Sequence, residues 1–401
     1  MSESKVTPGN SSFGISNVLK NVLLVCLSLV MALSICEVVL RFYNPFGFRI
    51  KGDNIILPVN KKEIIYHDKG EKIDKVVIHQ NNSLGFKGEE PPGDWDGRLT
   101  VITVGGSTTE CLEIAPEKTW PQVLGVKLQK SFPQLWLNNA GFCGHSSFGH
   151  YILMRDFISK LRPKVVIFLV GINEVGISDA REYDTRMATG LSFRSLDRFL
   201  ATAAYRSEVA SVLLNLYRYC FPKSVIAVGQ RDMGEIDFKA LTKLEIAPAE
   251  AAALRQAHRE KFVPLYEARL RRLLKITREG GMDAVLLTQP VVYGQVVDPE
   301  TGVDFSDKAV GYGLNGALGG ELLEMYNDVT RRVGREEGLL VIDLAQEMPK
   351  SSRYYYDLMH FSNEGNEKVA AIAARQLTPY LAGKYPAFAG PSPATVSQSQ
   401  D

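Results

Sequence analysis

The residues able to do nucleophilic chemistry stand at two distant points of the chain. The first point is residues 100–110, Thr-Val-Ile-Thr-Val-Gly-Gly-Ser-Thr-Thr-Glu. Its apolar, β-branched half predicts a strand buried on both faces. Two glycines then permit a sharp turn, which sets Ser107 at the carboxyl end of that strand, where open α/β sheets bind their ligands. The second point is Tyr354-Tyr355-Tyr356-Asp357-Leu358-Met359-His360-Phe361-Ser362. Asp and His three apart, in a turn entering a helix, can share one side of the chain. A carboxylate so placed holds an imidazole in one tautomer and stabilises its protonated form. An imidazole so held is the base that a serine hydroxyl needs before it becomes a nucleophile. Each piece alone has a plainer reading: a strand-to-helix turn with a capping hydroxyl, and a capping Asp beside a surface His.

The segments between these points must bring them together. After Ser107 the pattern predicts an amphipathic helix over 119–131 and a strand over 135–139. That strand ends in Ala140-Gly141-Phe142-Cys143-Gly144-His145-Ser146-Ser147. A helix over 148–161 leads to the most apolar strand, 165–170, which closes in Gly171-Ile172-Asn173-Glu174. Residues 175–264 form a long excursion, helical in pattern. The alternation resumes with a helix over 265–279, a strand over 283–289, a loop over 293–320, a helix over 321–337 and a strand over 339–343. A last helix runs from Ser362 or Asn363 to about residue 381, with Ser362 as its N-cap. Strands alternating with helices imply an α/β fold with a mainly parallel sheet and right-handed crossovers.

Composition narrows the classes. The chain has 401 residues, 45% of them apolar, and 46 basic residues face 45 acidic ones. That balance argues against a nucleic-acid surface as the main function. The spacing of the five cysteines gives neither a disulfide scaffold nor a metal motif. Residues 22–40 are close to the roughly 20 residues a helix needs to cross a bilayer core. No small-x-small cleavage site follows them, so the expectation is an uncleaved anchor at 21–43 behind a polar tail at 1–20. Lys5 and Lys20 lie before the span, with Arg41, Arg49 and Lys51 after it, so the charge rule does not favour a translocated carboxyl side. Residues 44–98 read as a connector with some strands, and 383–401 as a disordered tail rich in Pro, Ser and Gln.

Gly-Gly-Ser-Thr after the first strand, a glycine turn after the second, Gly-x-Asn-Glu after the third and Asp-x-x-His near the end resemble, in that order, the SGNH (GDSL) hydrolase superfamily. The resemblance spans about residues 99–382, with 175–264 as an insertion. It implies a three-layer, flavodoxin-like domain on a mainly parallel five-stranded sheet, preceded by the single transmembrane helix. It also implies roles. Ser107 attacks, His360 takes and returns the proton, and Asp357 fixes the ring. The Ser107 and Gly144 backbone N–H groups and the Asn173 amide hold the oxyanion. No cofactor or metal is expected. The resemblance departs from the family's usual pattern at Gly106 and Glu174, where Asp is usual.

The remaining expectations are smaller. His145 and His150 read as polar groups of the second block's loop. Cys111 and Cys143 read as two separate thiols, with a disulfide across the site as the alternative in an oxidising compartment. The excursion reads as packing on the domain, with interfacial binding by a basic amphipathic helix as its alternative. With the apolar span, the resemblance implies a membrane-anchored serine esterase, and it is the resemblance rather than the charge rule that implies a domain facing the extracytoplasmic side. Its substrate would be an acylated carbohydrate or lipid, with O-acetyl esters of an envelope or exported polysaccharide as the leading class. An O-acyltransferase with the same triad and a catalytically idle scaffold remain the rival readings.

Overall fold

The computed structural model describes residues 12–42, 55, 57–180, 203, 207–220, 225–230 and 234–390. Most of the expected first tail, part of the excursion and the last residues of the expected carboxyl tail lie outside them. In chain order the strands are β1 (Lys62–Tyr66), β2 (Val76–Gln80), β3 (Leu99–Gly105), β4 (Leu135–Asn139), β5 (Val165–Leu169), β6 (Val225–Gln230), β7 (Asp283–Leu287), β8 (Ala309–Gly311), β9 (Leu314–Asn315) and β10 (Leu340–Ile342). Five of them form one sheet in the order β10-β7-β5-β3-β4, with every neighbouring pair parallel.

Alternation along these strands explains the layers. In β3, Leu99 and Val101 enter one core while Ile102 and Val104 enter the other. In β5, Val165, Ile167 and Leu169 take the first side and Val166 and Phe168 the second. Successive side chains of a strand point to opposite faces, so a strand apolar at every position needs a cover on both. The helices Trp120–Gln129 and Asn363–Lys384 cover the first face, burying Leu124, Leu128, Val369 and Leu377. The helices Ser147–Leu153 and Val263–Glu279 cover the second with Ile152, Leu153, Leu270 and Leu273. The result is a three-layer α/β domain.

Element boundaries follow local chemistry. Ser362 caps the last helix as expected, its Oγ accepting from Gly365 N–H at 3.1 Å. The helix expected at 321–337 begins earlier, at Gly316, because Asn315 accepts from Leu318 N–H at 3.0 Å and starts it there. Its run of glycines gave the appearance of loop in the sequence. The helix expected over 148–161 is interrupted by a wider turn at Met154–Ile158.

The excursion is not uniformly helical. It includes the helix Glu208–Cys220, but also β6, which pairs parallel to β1, with β2 antiparallel on β1's other side. Val225, Ile226 and Val228 give β6 a β-branched sequence, and pairing with β1 satisfies backbone groups no local pattern could reveal. The stretch expected as a connector and part of the excursion thus build one accessory three-stranded sheet.

At the amino end, the helix Ser12–Phe42 contains one stretch, Val18–Phe42, long and apolar enough to cross a membrane, and none of it is buried within the protein. Near its end Glu37 accepts from Ser207 Oγ and from the Glu208 and Val209 N–H groups, at 2.8–3.1 Å. The start of the helix Glu208–Cys220 is thereby fastened to the end of the apolar one.

Candidate active site

The carboxyl ends of β3, β4 and β5 deliver three of the four predicted blocks to one place, and the turn before the last helix delivers the fourth. Ser107 opens a four-residue helix, Ser107–Glu110, directly after β3. This short helix is anchored underneath. Thr108 Oγ donates to Gln289 Oε1 at 3.1 Å, and Trp120 Nε1–H donates to the Thr108 carbonyl at 3.0 Å.

Asp357, His360 and Ser107 form one hydrogen-bonded chain. Asp357 Oδ1 accepts from the Met359 and His360 backbone N–H groups at 2.9 and 2.7 Å, and its Oδ2 lies 2.6 Å from His360 Nδ1. A carboxylate only accepts, so Nδ1 carries the proton and Nε2 is left as the acceptor. Ser107 Oγ lies 2.7 Å from that Nε2 and donates to it. The Tyr356 ring stacks on the imidazole, centroids 5.6 Å apart.

Electrostatics follow from the same contacts. Burial alone would raise Asp357, but the charge of His360, its ring hydrogen bond and the two N–H groups hold the carboxyl below its ordinary value. Burial alone would lower His360, but Asp357, with a smaller contribution from Glu113, lifts the imidazole above its ordinary value. Glu113 is itself buried, with His67 Nε2 3.4 Å from its carboxylate.

Asn173 lies against Gly106, the residue before Ser107, and is bonded to His145, the residue after Gly144. Gly144 has φ +73°, a left-handed conformation that glycine adopts without a Cβ clash. Its loop is held from two sides: Cys143 N–H donates to Glu110 Oε2 at 2.6 Å, and Asn173 Nδ2 donates to the His145 carbonyl at 3.0 Å. Lys87 Nζ donates to the Glu110 carbonyl at 3.0 Å, so Glu110 is itself fastened. Among the described residues, neither the Ser107 nor the Gly144 N–H finds an acceptor. At Gly106, where the family usually has Asp, a Cβ would come within 2.4 Å of Asn173 Nδ2, so the amide would have to shift to admit one.

Glu174, the other departure, is almost wholly buried. It accepts from Ser147 N–H and pairs with Arg269, whose Nη2 is 2.5 Å away. It ties the third block to the start of the helix Ser147–Leu153 and to the helix Val263–Glu279. Sequence reasoning identified none of Glu110, Lys87, Gln289, Glu113, Tyr356 or Arg269 as partners of the site. Glu110 follows Ser107 by three residues and Tyr356 precedes Asp357, so proximity was a usable signal for those two. For the others no local signal exists.

Of the two histidines expected as polar loop groups, His145 lies in the loop and His150 does not. His150 lies within the helix Ser147–Leu153, buried, and burial followed by the nearby His145 holds it at about 3. The His145 ring stacks on Phe142, and burial holds it at about 4. Both imidazoles are neutral at pH 7. Cys111 and Cys143 are separate thiols, and burial pushes Cys111 up to about 12, which keeps it protonated.

Comparison with known proteins follows the same lines. Residues 102–368 match the GDSL-like lipase/acylhydrolase family. Among solved structures, the chain is similar to an acetyl xylan esterase, AlAXEase, at 14% identity over 70% of this chain and 100% of that one, with a TM-score of 0.39. It is similar to a catalytic mutant of Axe2, an acetylxylan esterase from Geobacillus stearothermophilus, at 13% identity over 70% and 94% of the two chains, with a TM-score of 0.40. It is also similar to LAE5, an alpha/beta hydrolase enzyme from the metagenome of Lake Arreo, Spain, at 15% identity over 70% and 96%, with a TM-score of 0.37. At these values the similarities carry no argument about activity. No curated protein matches the chain.

Proposed function

Because the chain belongs to the GDSL-like lipase/acylhydrolase family, we propose that it is a membrane-anchored serine esterase that removes O-acetyl groups from an envelope or exported polysaccharide. The observation that carries this reading is the unbroken chain from Asp357 Oδ2 through the imidazole of His360 to Ser107 Oγ, with links of 2.6 and 2.7 Å.

In the first step Nε2 of His360 takes the hydroxyl proton as Ser107 Oγ bonds to the ester carbonyl carbon. Asp357 stabilises the imidazolium that results. The carbonyl oxygen gains negative charge, which the Ser107 and Gly144 N–H groups and the second Nδ2–H of Asn173 receive. The imidazolium then gives its proton to the departing sugar oxygen, leaving an acetyl-serine. Water, deprotonated by the same nitrogen, releases acetate and restores the hydroxyl.

The helix Val18–Phe42 serves as the anchor, with the catalytic domain on the extracytoplasmic side. That location, with the acyl chemistry, favours a glycan ester. Labelling the full chain in detergent with a fluorophosphonate tests the chemistry. Modification at Ser107, absent from Ser107→Ala, is expected. An unlabelled wild-type chain would favour an idle scaffold. Acetyl transfer to an added sugar in preference to water would identify a transferase.

A further inference from the structure

The short helix that begins with Ser107 ends with Glu110, and the loop that carries Gly144 runs directly against it. A Cβ on Gly141 would come within 2.4 Å of the Glu110 backbone nitrogen, so the two segments meet with no side chain between them there. Backbone bonds carry the loop out from the strand ends. Ala140 N–H donates to the Thr103 carbonyl and Phe142 N–H to that of Gly105, each at 2.9 Å. The next tie, just before Gly144, is made by a side chain: Cys143 N–H donates to Glu110 Oε2 at 2.6 Å. Ser107 and Glu110 open and close one short helix, and Cys143 and Gly144 are consecutive. One carboxylate thus governs how the Gly144 N–H stands relative to that of Ser107.

A carboxylate makes a stronger tie than a neutral acceptor. It also brings a negative charge against the residue before Gly144, a Cα spacing of about 3.8 Å from a group that is to receive an oxyanion. Left alone, that charge would oppose the one that builds on the ester oxygen, since a site shielded from water screens it poorly. Lys87 removes the conflict. Its Nζ lies 3.4 Å from Glu110 Oε1 and donates to the Glu110 carbonyl at 3.0 Å, the two side chains being only 12% and 16% exposed. Among the described residues, each is the other's only ion-pair partner. The lysine is held in turn, its N–H and carbonyl exchanging bonds with Asn139 at the end of β4, at 2.9 and 2.8 Å.

We propose that Glu110 and Lys87 act as one positioning unit for the oxyanion donors. The carboxylate sets the Gly144 N–H against that of Ser107, and the ammonium cancels the charge the carboxylate would otherwise lay beside the oxyanion. The inference rests on the esterase reading above.

The test is steady-state hydrolysis of p-nitrophenyl acetate by the full chain in detergent, with thermal unfolding recorded to confirm that each variant folds. Lys87→Met, which leaves the carboxylate uncompensated, is expected to lower kcat on the order of tenfold, with KM within about twofold. Glu110→Gln keeps an oxygen for Cys143 N–H and carries no charge, so a kcat within about threefold of wild type is expected. The double variant Lys87→Met with Glu110→Gln is expected to recover the rate that Lys87→Met alone loses, a reversal that lost packing at Lys87 does not give. Glu110→Ala removes the tie as well as the charge and is expected to lower kcat on the order of tenfold. A double variant no faster than Lys87→Met, or Glu110→Ala as fast as Glu110→Gln, overturns the positioning role and leaves the esterase reading standing. Should Lys87→Met fail to fold, the comparison of Glu110→Ala with Glu110→Gln still decides. A wild-type chain that neither hydrolyses p-nitrophenyl acetate nor takes up fluorophosphonate at Ser107 removes the esterase reading, and the positioning role with it.

Discussion

Ser107 and His360 meet at one hydrogen bond, but the turns that carry them are built differently. The serine turn is secured by the sheet domain itself. Gln289 from the end of β7, Trp120 from the next helix and Asn173 from the end of β5 all touch it or its immediate neighbours. The histidine turn is fastened largely from outside the sheet. Lys72 Nζ donates to the Ser352 and Tyr355 carbonyls at 2.6 and 3.3 Å, Ile236 N–H donates to the Tyr356 carbonyl at 3.0 Å, and Asn363 N–H donates to that of Lys72 at 2.9 Å. Glu235 holds this clasp together, one carboxylate oxygen accepting from the Glu71, Lys72 and Ile73 N–H groups at 2.8, 2.6 and 3.0 Å. Residues 71–73 lie between β1 and β2, and Glu235 and Ile236 follow β6. The accessory sheet therefore buttresses the base, whereas the main sheet positions the nucleophile.

Three variants would break or sharpen this contrast. The largest effect is expected on the serine side. Asn173→Ala removes a neutral oxyanion donor and is expected to lower kcat on the order of 10²–10³-fold. The fold should stay intact, and an unchanged kcat would remove Asn173 from the mechanism. On the histidine side, Glu235→Ala loosens the clasp without touching the triad. A kcat loss of about tenfold with KM unchanged is expected. If thermal stability falls while kcat holds, the clasp is structural only and the contrast drawn here fails.

The smallest effect concerns pH. Only the neutral imidazole accepts the serine proton, so activity should be full above the His360 pKa and fall as pH drops through it. That pKa is lifted above its ordinary value, so the acid limb of kcat/KM should lie above 6.5. Glu113→Gln, which removes the further negative charge packed by His67, should move the limb to lower pH. An unmoved limb would show that this carboxylate does not act on the ring.

How much of this was legible depends on how local each cause is. Ser107, Asp357 and His360 could be read because each sits in a turn whose glycines, cap or three-residue spacing is written consecutively. Strands apolar at every position announced a sheet covered on both faces, and the structure has that sheet. The strand β6 was misread as part of a helical stretch because its reason for being extended is β1, some 160 residues earlier. His150 falls inside the helix expected over 148–161, and what no neighbouring residue shows is that its ring is buried there.

The order of blocks and the alternation of strands and helices settled the architecture and nominated the chemistry, since buried strands and tight turns follow from neighbouring residues. Only the tertiary structure decided that Gly106 makes room for the Asn173 amide, that Glu174 is sealed against Arg269, and that Glu324, Asp328 and Asp343 share Arg331. Each of these depends on atoms brought together from distant segments, and distance in space is what a linear pattern does not carry.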